Sequence, residues 1–183
     1  MSFTTDIKRE LCRAPFASRC CVRAECYGLL LFAAGFSQSR IRLQSDSAAV
    51  RRRARQLLGK CAGVSFAAAG EKGHTLLLEE PEQVARVFQA FGYEYSSAAL
   101  HLNRAMVEED CCRIAFLRGA FLTGGSCLEP GKGYHLELAT SHYNVARETA
   151  LLLEEMGLPC GFVSRRGNYV LYYKHSSVIE DLI

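Results

Sequence analysis

The chain has 183 residues, of which 49% are hydrophobic and 22% charged, a composition typical of one globular domain with a full core or of two small ones. Its apolar run YGLLLFAAGF is far shorter than the roughly 18 residues that a membrane-spanning helix needs. The charged opening MSFTTDIKRE lacks the apolar centre of a signal peptide, so we expect a cytoplasmic protein whose nine cysteines are reduced thiols.

The net charge of +3 is unevenly distributed along the chain. Residues 1–105 carry 15 Lys and Arg against 9 Asp and Glu, whereas residues 106–183 carry 7 against 10. A basic half can favour nucleic acid as a partner. An ordinary solvated surface accounts for the same numbers equally well, so the charge alone does not decide between the two.

The first half of the chain predicts an alternation of helices and strands. CCVRAECYGLLLFAAG at residues 20–35 indicates a buried helix, and the alternating segment RIRLQ at residues 40–44 predicts a strand. The arginine-rich helix that follows ends near Leu58, HTLLLEE predicts another strand, and PEQVARVFQAFG predicts a short closing helix.

The second half repeats this order. The helix CCRIAFLRGAFLTGGS occupies residues 111–126, and a Pro-Gly-Lys-Gly turn separates the two strand-like segments that follow it. LELATSHYNVARETALLL at 136–153 resembles IRLQSDSAAVRRRARQLL at 41–58, YVLYYKH corresponds to HTLLLEE, and SSVIEDLI predicts the last helix. We therefore expect two αββαββα repeats, at residues 1–105 and 106–183.

The two long helices share a pattern of small residues. Aligned 91 positions apart, both read C-x-x-A-x-x-x-G, and residues at i, i+3 and i+7 lie on one face of a helix. Small side chains allow two helix backbones to approach closely. We therefore predict that the helices cross at a pseudo-twofold axis lined by Cys21, Ala24, Gly28, Cys112, Ala115 and Gly119.

Candidate contacts to nucleic acid come from outward side chains of the strands and from an arginine run. In RIRLQ, Ile41 and Leu43 face the core if the strand alternates, which turns Arg42 outward. Arginine and glutamine suit base edges in the major groove, and arginines on the following helix suit phosphates. In the second half, the carboxylate of Glu137 beside His135 repels phosphate, which makes this half less suitable for binding DNA. The candidates are Arg40, Arg42, Gln44, Arg51, Arg52, Arg55, His135, Arg165 and Arg166.

The duplicated αββαββα unit, with GLLLFAA and GAFLTGG at matched helix ends, resembles the LAGLIDADG homing-endonuclease fold, a pseudo-symmetric α+β architecture. The segments MSFTTDIKRELCR, FLRGAFLTGGS, YHLEL and YVLYYKHSSVIEDLI, with CC before each long helix, are similar to the WhiA family of sporulation and cell-division transcription regulators. This resemblance covers essentially the whole chain. It implies association with DNA and a C-terminal helix-turn-helix domain beyond these residues.

The resemblance does not imply cleavage of DNA. Homing endonucleases of this fold hold divalent ions with an acid near the end of each central helix, and the corresponding positions here are Ala33 and Gly124. Glu25 lies about 12 Å upstream along the helix axis, too far to substitute. Neither position can bind a metal or move a proton, so we assign no catalytic residue.

We also expect no cofactor and no metal site. Adjacent residues on a helix point about 100° apart, so one CC pair cannot easily chelate one ion. The sequence contains no C-x-x-C spacing either. The cysteines are therefore interpreted as small apolar residues of the core.

These features predict a non-catalytic, DNA-associated domain of a WhiA-like transcription regulator, located with the nucleoid in the cytoplasm. Double-stranded DNA is the expected partner, and this chain alone is expected to bind it weakly. The alternative is a protein-interaction module that contacts the transcription machinery, such as RNA polymerase or another regulator, or the protein's own C-terminal domain. No association with a membrane is expected.

Overall fold

The computed structural model describes residues 2–66, 71–94, 99–175, 177 and 179. Its helices are α1 (Phe3–Leu11), α2 (Arg19–Leu31), α3 (Ala48–Ala62), α4 (Pro81–Ala90), α5 (Asp110–Gly124) and α6 (Tyr143–Glu155). Its strands are β1 (Gly35–Phe36), β2 (Ile41–Gln44), β3 (Glu71–Lys72), β4 (Thr75–Leu78), β5 (Gly125–Cys127), β6 (Leu136–Thr140), β7 (Gly161–Arg165) and β8 (Asn168–Tyr173). Among the described residues, no helix combines the length and hydrophobicity needed to cross a bilayer.

Two antiparallel sheets have the same topology. Their strand orders are β1-β2-β4-β3 and β5-β6-β8-β7, and α2 precedes the first sheet as α5 precedes the second. α3 and α6 each connect the two hairpins of their own sheet. This arrangement confirms the duplicated α+β architecture that the sequence predicts. The predicted last helix, SSVIEDLI, falls on residues 176–183, most of which lie outside the described residues.

Helix α1 has no counterpart among the predicted elements. It begins after Ser2, whose Oγ accepts a hydrogen bond from the Thr5 amide at 3.3 Å. The helix contacts α5 and β5 of the second repeat. The Thr4 hydroxyl donates to the carbonyl oxygen of Cys127 and accepts from the amide of Cys127, both at 2.9 Å. α1 therefore joins the start of the chain to an edge strand of the second sheet.

Helix α3 illustrates how local sequence sets the limits of an element. The Ser47 hydroxyl caps its first turn by accepting from the Val50 amide at 3.5 Å. Gly63 ends the helix in the left-handed conformation, with φ of 63°, which glycine adopts without steric cost. The face that α3 buries consists of Val50, Arg53, Ala54, Leu57 and Leu58.

The long helices α2 and α5 make the most extensive helix contact in the described structure. A Cβ atom added to Gly28 would overlap the carbonyl oxygen of Phe116, and one added to Gly119 would overlap that of Glu25. The contacts are reciprocal, because each glycine faces the residue three positions before the other. The helices therefore cross about a pseudo-twofold axis at the two glycines. The other small residues of the pattern are also buried: Cys21, Ala24, Cys112 and Ala115.

A buried carboxylate lies beside this crossing. Glu25 is 2% exposed, and its carboxylate accepts hydrogen bonds from Nε and Nη2 of Arg53, the latter at 2.9 Å. Arg118 on α5 donates to the same carboxylate from Nη1 at 3.3 Å. Arg53 also donates to the carbonyl oxygens of Cys12 and Ala14, at 3.0 and 2.8 Å. The carboxylate thus connects α2 with α3 and α5, and Arg53 extends the connection to the segment after α1.

The pseudo-symmetric counterpart of this ion cluster is aromatic. With the 91-residue offset, Glu25 and Arg118 correspond to Phe116 and Tyr27, whose ring centroids lie 5.8 Å apart across the helix pair. The Tyr27 hydroxyl forms a hydrogen bond with the Tyr93 hydroxyl at 2.5 Å. Burial is the main cause that raises the pKa of Tyr27 to about 12. The same pair of positions is therefore ionic on one side of the axis and aromatic on the other.

The substitution Gly119→Ala tests the close crossing. Its added methyl group would collide with backbone atoms of α2, which cannot rotate away, so the free energy of unfolding should fall by about 2 kcal/mol or more. The control is Gly131→Ala, because a Cβ there meets no described atom within 4 Å, and its effect should stay below ~0.5 kcal/mol. Urea unfolding followed by circular dichroism measures both. Equal stability of the two variants would contradict the crossing.

The substitution Arg53→Met tests the buried ion cluster. It leaves Glu25 buried with only the more distant Arg118, so the free energy of unfolding should fall by ~3–5 kcal/mol. Arg52→Met changes the exposed neighbour on the same helix and should alter stability by less than ~0.5 kcal/mol. Chemical unfolding measures both variants. A loss for Arg53→Met no greater than for Arg52→Met would show that Glu25 does not need this partner.

Candidate nucleic-acid interface

Strand β2 presents the first pair of candidate side chains. Ile41 and Leu43 are buried, and Arg42 and Gln44 alternate with them on the outward face of the sheet. Arg42 Nη2 donates to Gln44 Oε1 at 2.9 Å, so the two polar groups form one unit on this face. Arg40 is exposed immediately before the strand.

The outward face of the second sheet carries a paired carboxylate. Glu137 accepts a hydrogen bond from His135 Nε2 at 2.6 Å and another from Arg165 Nη1 at 3.2 Å. Burial opposes ionisation of this carboxyl, but the hydrogen bond from His135 and the charge of Arg165 outweigh it and lower the pKa of Glu137. The sequence marks Glu137 as a charge that repels phosphate. In the structure Arg165 balances that charge, and the Glu137 side chain is only 17% exposed.

Sequence reasoning missed two side chains on this face. Tyr172 lies opposite Glu137 in the sheet and stacks against His135, with ring centroids 6.1 Å apart. Lys174 Nζ lies 5.2 Å from the centre of the Tyr172 ring. The period-2 alternation around the buried Tyr173 is the signal that could have found both, since it turns Tyr172 and Lys174 to the same side.

The arginine run belongs to a different layer. Arg51 Nη1 donates to the carbonyl oxygen of Ser45 at 2.7 Å and so braces the loop between β2 and α3. Arg52 is exposed on α3, and Arg55 is half-buried. Because α3 packs among the helices against α2, these arginines lie in the helix layer, whereas Arg42 lies on the outward sheet face.

The remaining candidates lie at the hairpin between β7 and β8. Arg165 pairs with Asn168 across this hairpin, so the structure brings it to the side of Glu137. Arg166 and Gly167 form the turn, with φ of 51° and 81°. Two consecutive left-handed residues are the requirement of a tight two-residue hairpin. Arg166 is therefore held at the exposed tip of the hairpin.

The helix ends that carry acids in homing endonucleases are packed in this chain. Ala33 is 4% exposed. A Cβ added to Gly124 would overlap the carbonyl oxygen of Ala139 and lie 2.9 Å from the Cβ of Phe32. Neither residue offers a ligand atom, and position 124 has no room for a side chain.

The cysteines are not all core residues, which corrects the interpretation from the sequence. Cys21 and Cys112 are buried, but Cys20 and Cys111 are exposed. The crossing of α2 and α5 brings the two pairs together, and the four Sγ atoms lie within 4.8 Å of one another. One CC pair alone cannot easily chelate an ion, but the pseudo-twofold axis brings two pairs together.

Two repeats around a glycine-mediated helix pair, with polar outward sheet faces and no acids at the helix ends, define a LAGLIDADG-type protein without the usual metal-binding carboxylates. The fold is similar to that of I-DmoI, whose crystal structure holds DNA and Mn. The TM-score is 0.58 over 88% of this chain and 93% of that one, at 13% identity, so this likeness concerns the fold alone.

The chain is also similar to WhiA proteins over its whole length. The family model of the WhiA LAGLIDADG-like domain matches residues 113–183. The whole chain aligns at 33% identity with the probable cell division protein WhiA of Ruminiclostridium cellulolyticum, and at 30% with that of Desulforamulus reducens. Full-length DUF199/WhiA from Thermatoga maritima matches 98% of this chain and 59% of its own, with a TM-score of 0.74 at 25% identity. Residues 113–183 thus carry a WhiA LAGLIDADG-like domain, and the whole chain, which spans 63% and 62% of the two curated relatives, is similar to WhiA proteins.

The chain should not cleave duplex DNA in the presence of Mg²⁺ or Mn²⁺, because Ala33 and Gly124 provide no carboxylate to hold the ion. Nicking of supercoiled plasmid measures this. Gly124→Asp should not create an activity either, since its side chain would collide with the Ala139 carbonyl group. Cleavage that disappears when some other acidic residue is substituted would contradict the prediction and locate a different site.

Proposed function

We propose that this chain is a DNA-associated, non-cleaving module of a WhiA-type transcription regulator, and that the outward faces of its two sheets contact the duplex. The observation that supports this most is the pair of sheets with matching strand order, each with polar side chains on the side away from the helices. I-DmoI, which shares the fold, was crystallised with DNA. Two sheets related by a pseudo-twofold axis could follow successive segments of one duplex.

The first sheet supports contact with bases. The guanidinium of Arg42 presents donors suited to guanine, and the amide of Gln44 suits adenine, in a major groove about 12 Å wide that admits a β-ribbon. Their mutual hydrogen bond at 2.9 Å restricts both side chains before binding. Because both side chains are already restricted in the free protein, less conformational entropy is lost when they bind.

The second sheet supports contact with phosphates. Lys174 is exposed above Tyr172, and Arg165 is shared with Glu137. Since each phosphate contact releases counterions, a face with few available cations binds weakly, and its affinity falls only modestly as salt rises. The exposed Arg166 at the hairpin tip and Arg52 on α3 are further candidates for phosphate contact.

The role of the whole protein is inferred from its relatives, which are named as probable cell division proteins. We assign the first repeat to residues 1–105 and the second to 106–183. The additional length of the relatives is proposed to supply a helix-turn-helix domain that adds sequence preference and affinity. RNA polymerase or another regulator at the nucleoid is proposed as a protein partner.

A second candidate function, a protein-interaction module, is favoured by an aromatic cluster on the other side of the second sheet. Tyr143 on α6 is 50% exposed and Phe162 on β7 is 41% exposed. Both rings contact Tyr169, with centroids 5.2 and 6.3 Å away. Exposed aromatic clusters of this kind are typical of protein contacts.

Fluorescence anisotropy with labelled duplexes at several salt concentrations tests the DNA interface. Lys174→Ala should weaken binding to all sequences alike and reduce the slope of log K against log salt by about one unit, the effect of one lost phosphate contact. Arg42→Ala should instead change the preference among sequences, because its guanidinium is placed for base edges.

The matched control is Arg86→Ala, which removes an exposed arginine from α4, a helix that carries none of the candidate contacts, and should leave both the affinity and the salt slope unchanged. If the chain does not bind duplex at low salt, or if all three variants bind as tightly as wild type, the sheet faces are not the interface. The protein-interaction function would then be the better supported of the two.

A further inference from the structure

Four thiols lie together at the N-terminal ends of the two central helices. Cys20 and Cys21 are the second and third residues of α2, and Cys111 and Cys112 hold the same places in α5. All four Sγ atoms lie within 4.8 Å of one another. Each repeat thus contributes one pair, and we call these residues the four-cysteine cluster.

The spacing of the cluster fits one tetrahedral metal ion. With Zn–S bonds of about 2.3 Å, four tetrahedral thiolates stand about 3.8 Å apart. The four Sγ atoms lie at most 4.8 Å apart, about 1 Å more than the separation in a zinc site. Small side-chain rotations can close this difference. Two ligands come from each helix, so a single ion would touch both repeats.

The surroundings of the cluster favour a thiolate at Cys20. The N-terminal ends of both helices carry partial positive charge, which stabilises anions in the first turn. The Ser18 hydroxyl lies 3.0 Å from Cys20 Sγ and 3.2 Å from Cys21 Sγ. Hydrogen bonds from Ser18 and then Cys112 lower the pKa of Cys20 to about 7, whereas a hydrogen bond with Cys21 raises the pKa of Cys111 and burial raises that of Cys112. A bound cation would supply the charge that the buried thiols need to ionise.

We propose that the four-cysteine cluster binds one zinc ion that clamps the N-terminal ends of α2 and α5. Four protein ligands complete the tetrahedron, as in structural zinc sites, and leave no position open for a substrate. As the Zn–S bonds form, each protonated thiol releases its proton to solvent, and no electron is transferred. The ion would hold the helix pair at one end, while the glycine contact holds it further along.

The ligand chemistry favours zinc over other occupants. Hard ions such as Mg²⁺ and Ca²⁺ require oxygen ligands, whereas four thiolates suit zinc or iron. Zinc binds without a change of oxidation state. The competing chemistry is a disulfide between the helices, and the experiment below separates it from a metal site.

Metal content of the reduced chain tests the proposal. The chain, purified with a thiol reductant and without chelator, should contain one zinc ion by inductively coupled plasma mass spectrometry. Cys20→Ser with Cys111→Ser removes one exposed ligand from each helix, and this double variant should contain essentially none while its circular dichroism stays that of a folded protein. The control, Cys61→Ser with Cys160→Ser, removes two half-buried thiols elsewhere and should retain the ion.

Cobalt provides a second readout. Co²⁺ added to the metal-free, reduced chain should produce the thiolate-to-cobalt charge-transfer band and the visible bands of a tetrahedral ion, and the double variant should produce neither. Zinc retained in full by the double variant would overturn the proposal. A folded, reduced wild-type chain that holds no zinc and develops no cobalt bands would overturn it too. So would an interhelical disulfide that persists under the same reductant, identified from hydrogens lost in the intact mass.

Discussion

Direct contact between two backbones, at Gly28 and Gly119, sets the geometry on which the rest of the molecule depends. Each glycine faces a carbonyl group of the opposite helix, so main-chain atoms determine the distance between α2 and α5. α5 passes directly into β5, and α2 is separated from β1 by a short turn. The placement of the two outward sheet faces relative to each other therefore follows from the helix crossing. Any binding surface formed by both sheets therefore depends on Gly28 and Gly119, which are buried between the helices and would not contact a partner.

Side chains around the crossing have diverged although the backbones have not. On one side, the carboxylate of Glu25 is stabilised by two arginines, and one of these also binds the segment after α1. On the other side, Tyr27 stacks on Phe91, with centroids 5.3 Å apart, and accepts a hydrogen bond from the Asn103 amide. The ionic side thus anchors the start of the chain. The aromatic side anchors the segment that connects the two repeats.

Much of the fold could be predicted from the sequence, because the repeat and its hydrophobic periodicity are local patterns. The alternation that turns Arg42 outward in β2 also turns Tyr172 outward in β8, so the position of Tyr172 could be predicted in the same way. Arg53 occupies the buried stripe of α3 between Val50 and Leu57, so its burial could be read from the same periodicity.

Other features could not be predicted, because they depend on which segments meet in three dimensions. The neutralisation of Glu137 by Arg165 requires the register of three neighbouring strands. The four-cysteine cluster requires two helices 91 positions apart to end at the same place. Helix α1 has local signals in the Ser2 cap and in the i+4 spacing of Phe3, Ile7 and Leu11, but its contacts with α5 and β5 depend on the fold.

The hydrogen bonds between α1 and β5 have a consequence for how the chain folds. They join Thr4 and Cys127, which are 123 positions apart, so forming this contact closes a long loop and has a large entropic cost. During synthesis, α2 leaves the ribosome long before α5 exists to cover it, an interval of ~10 s at typical translation rates. During this interval, three leucines that are fully buried in the folded protein lack their final packing partners: Leu29, Leu30 and Leu31. A chain truncated between the repeats would therefore expose this apolar surface and be prone to aggregate instead of folding stably.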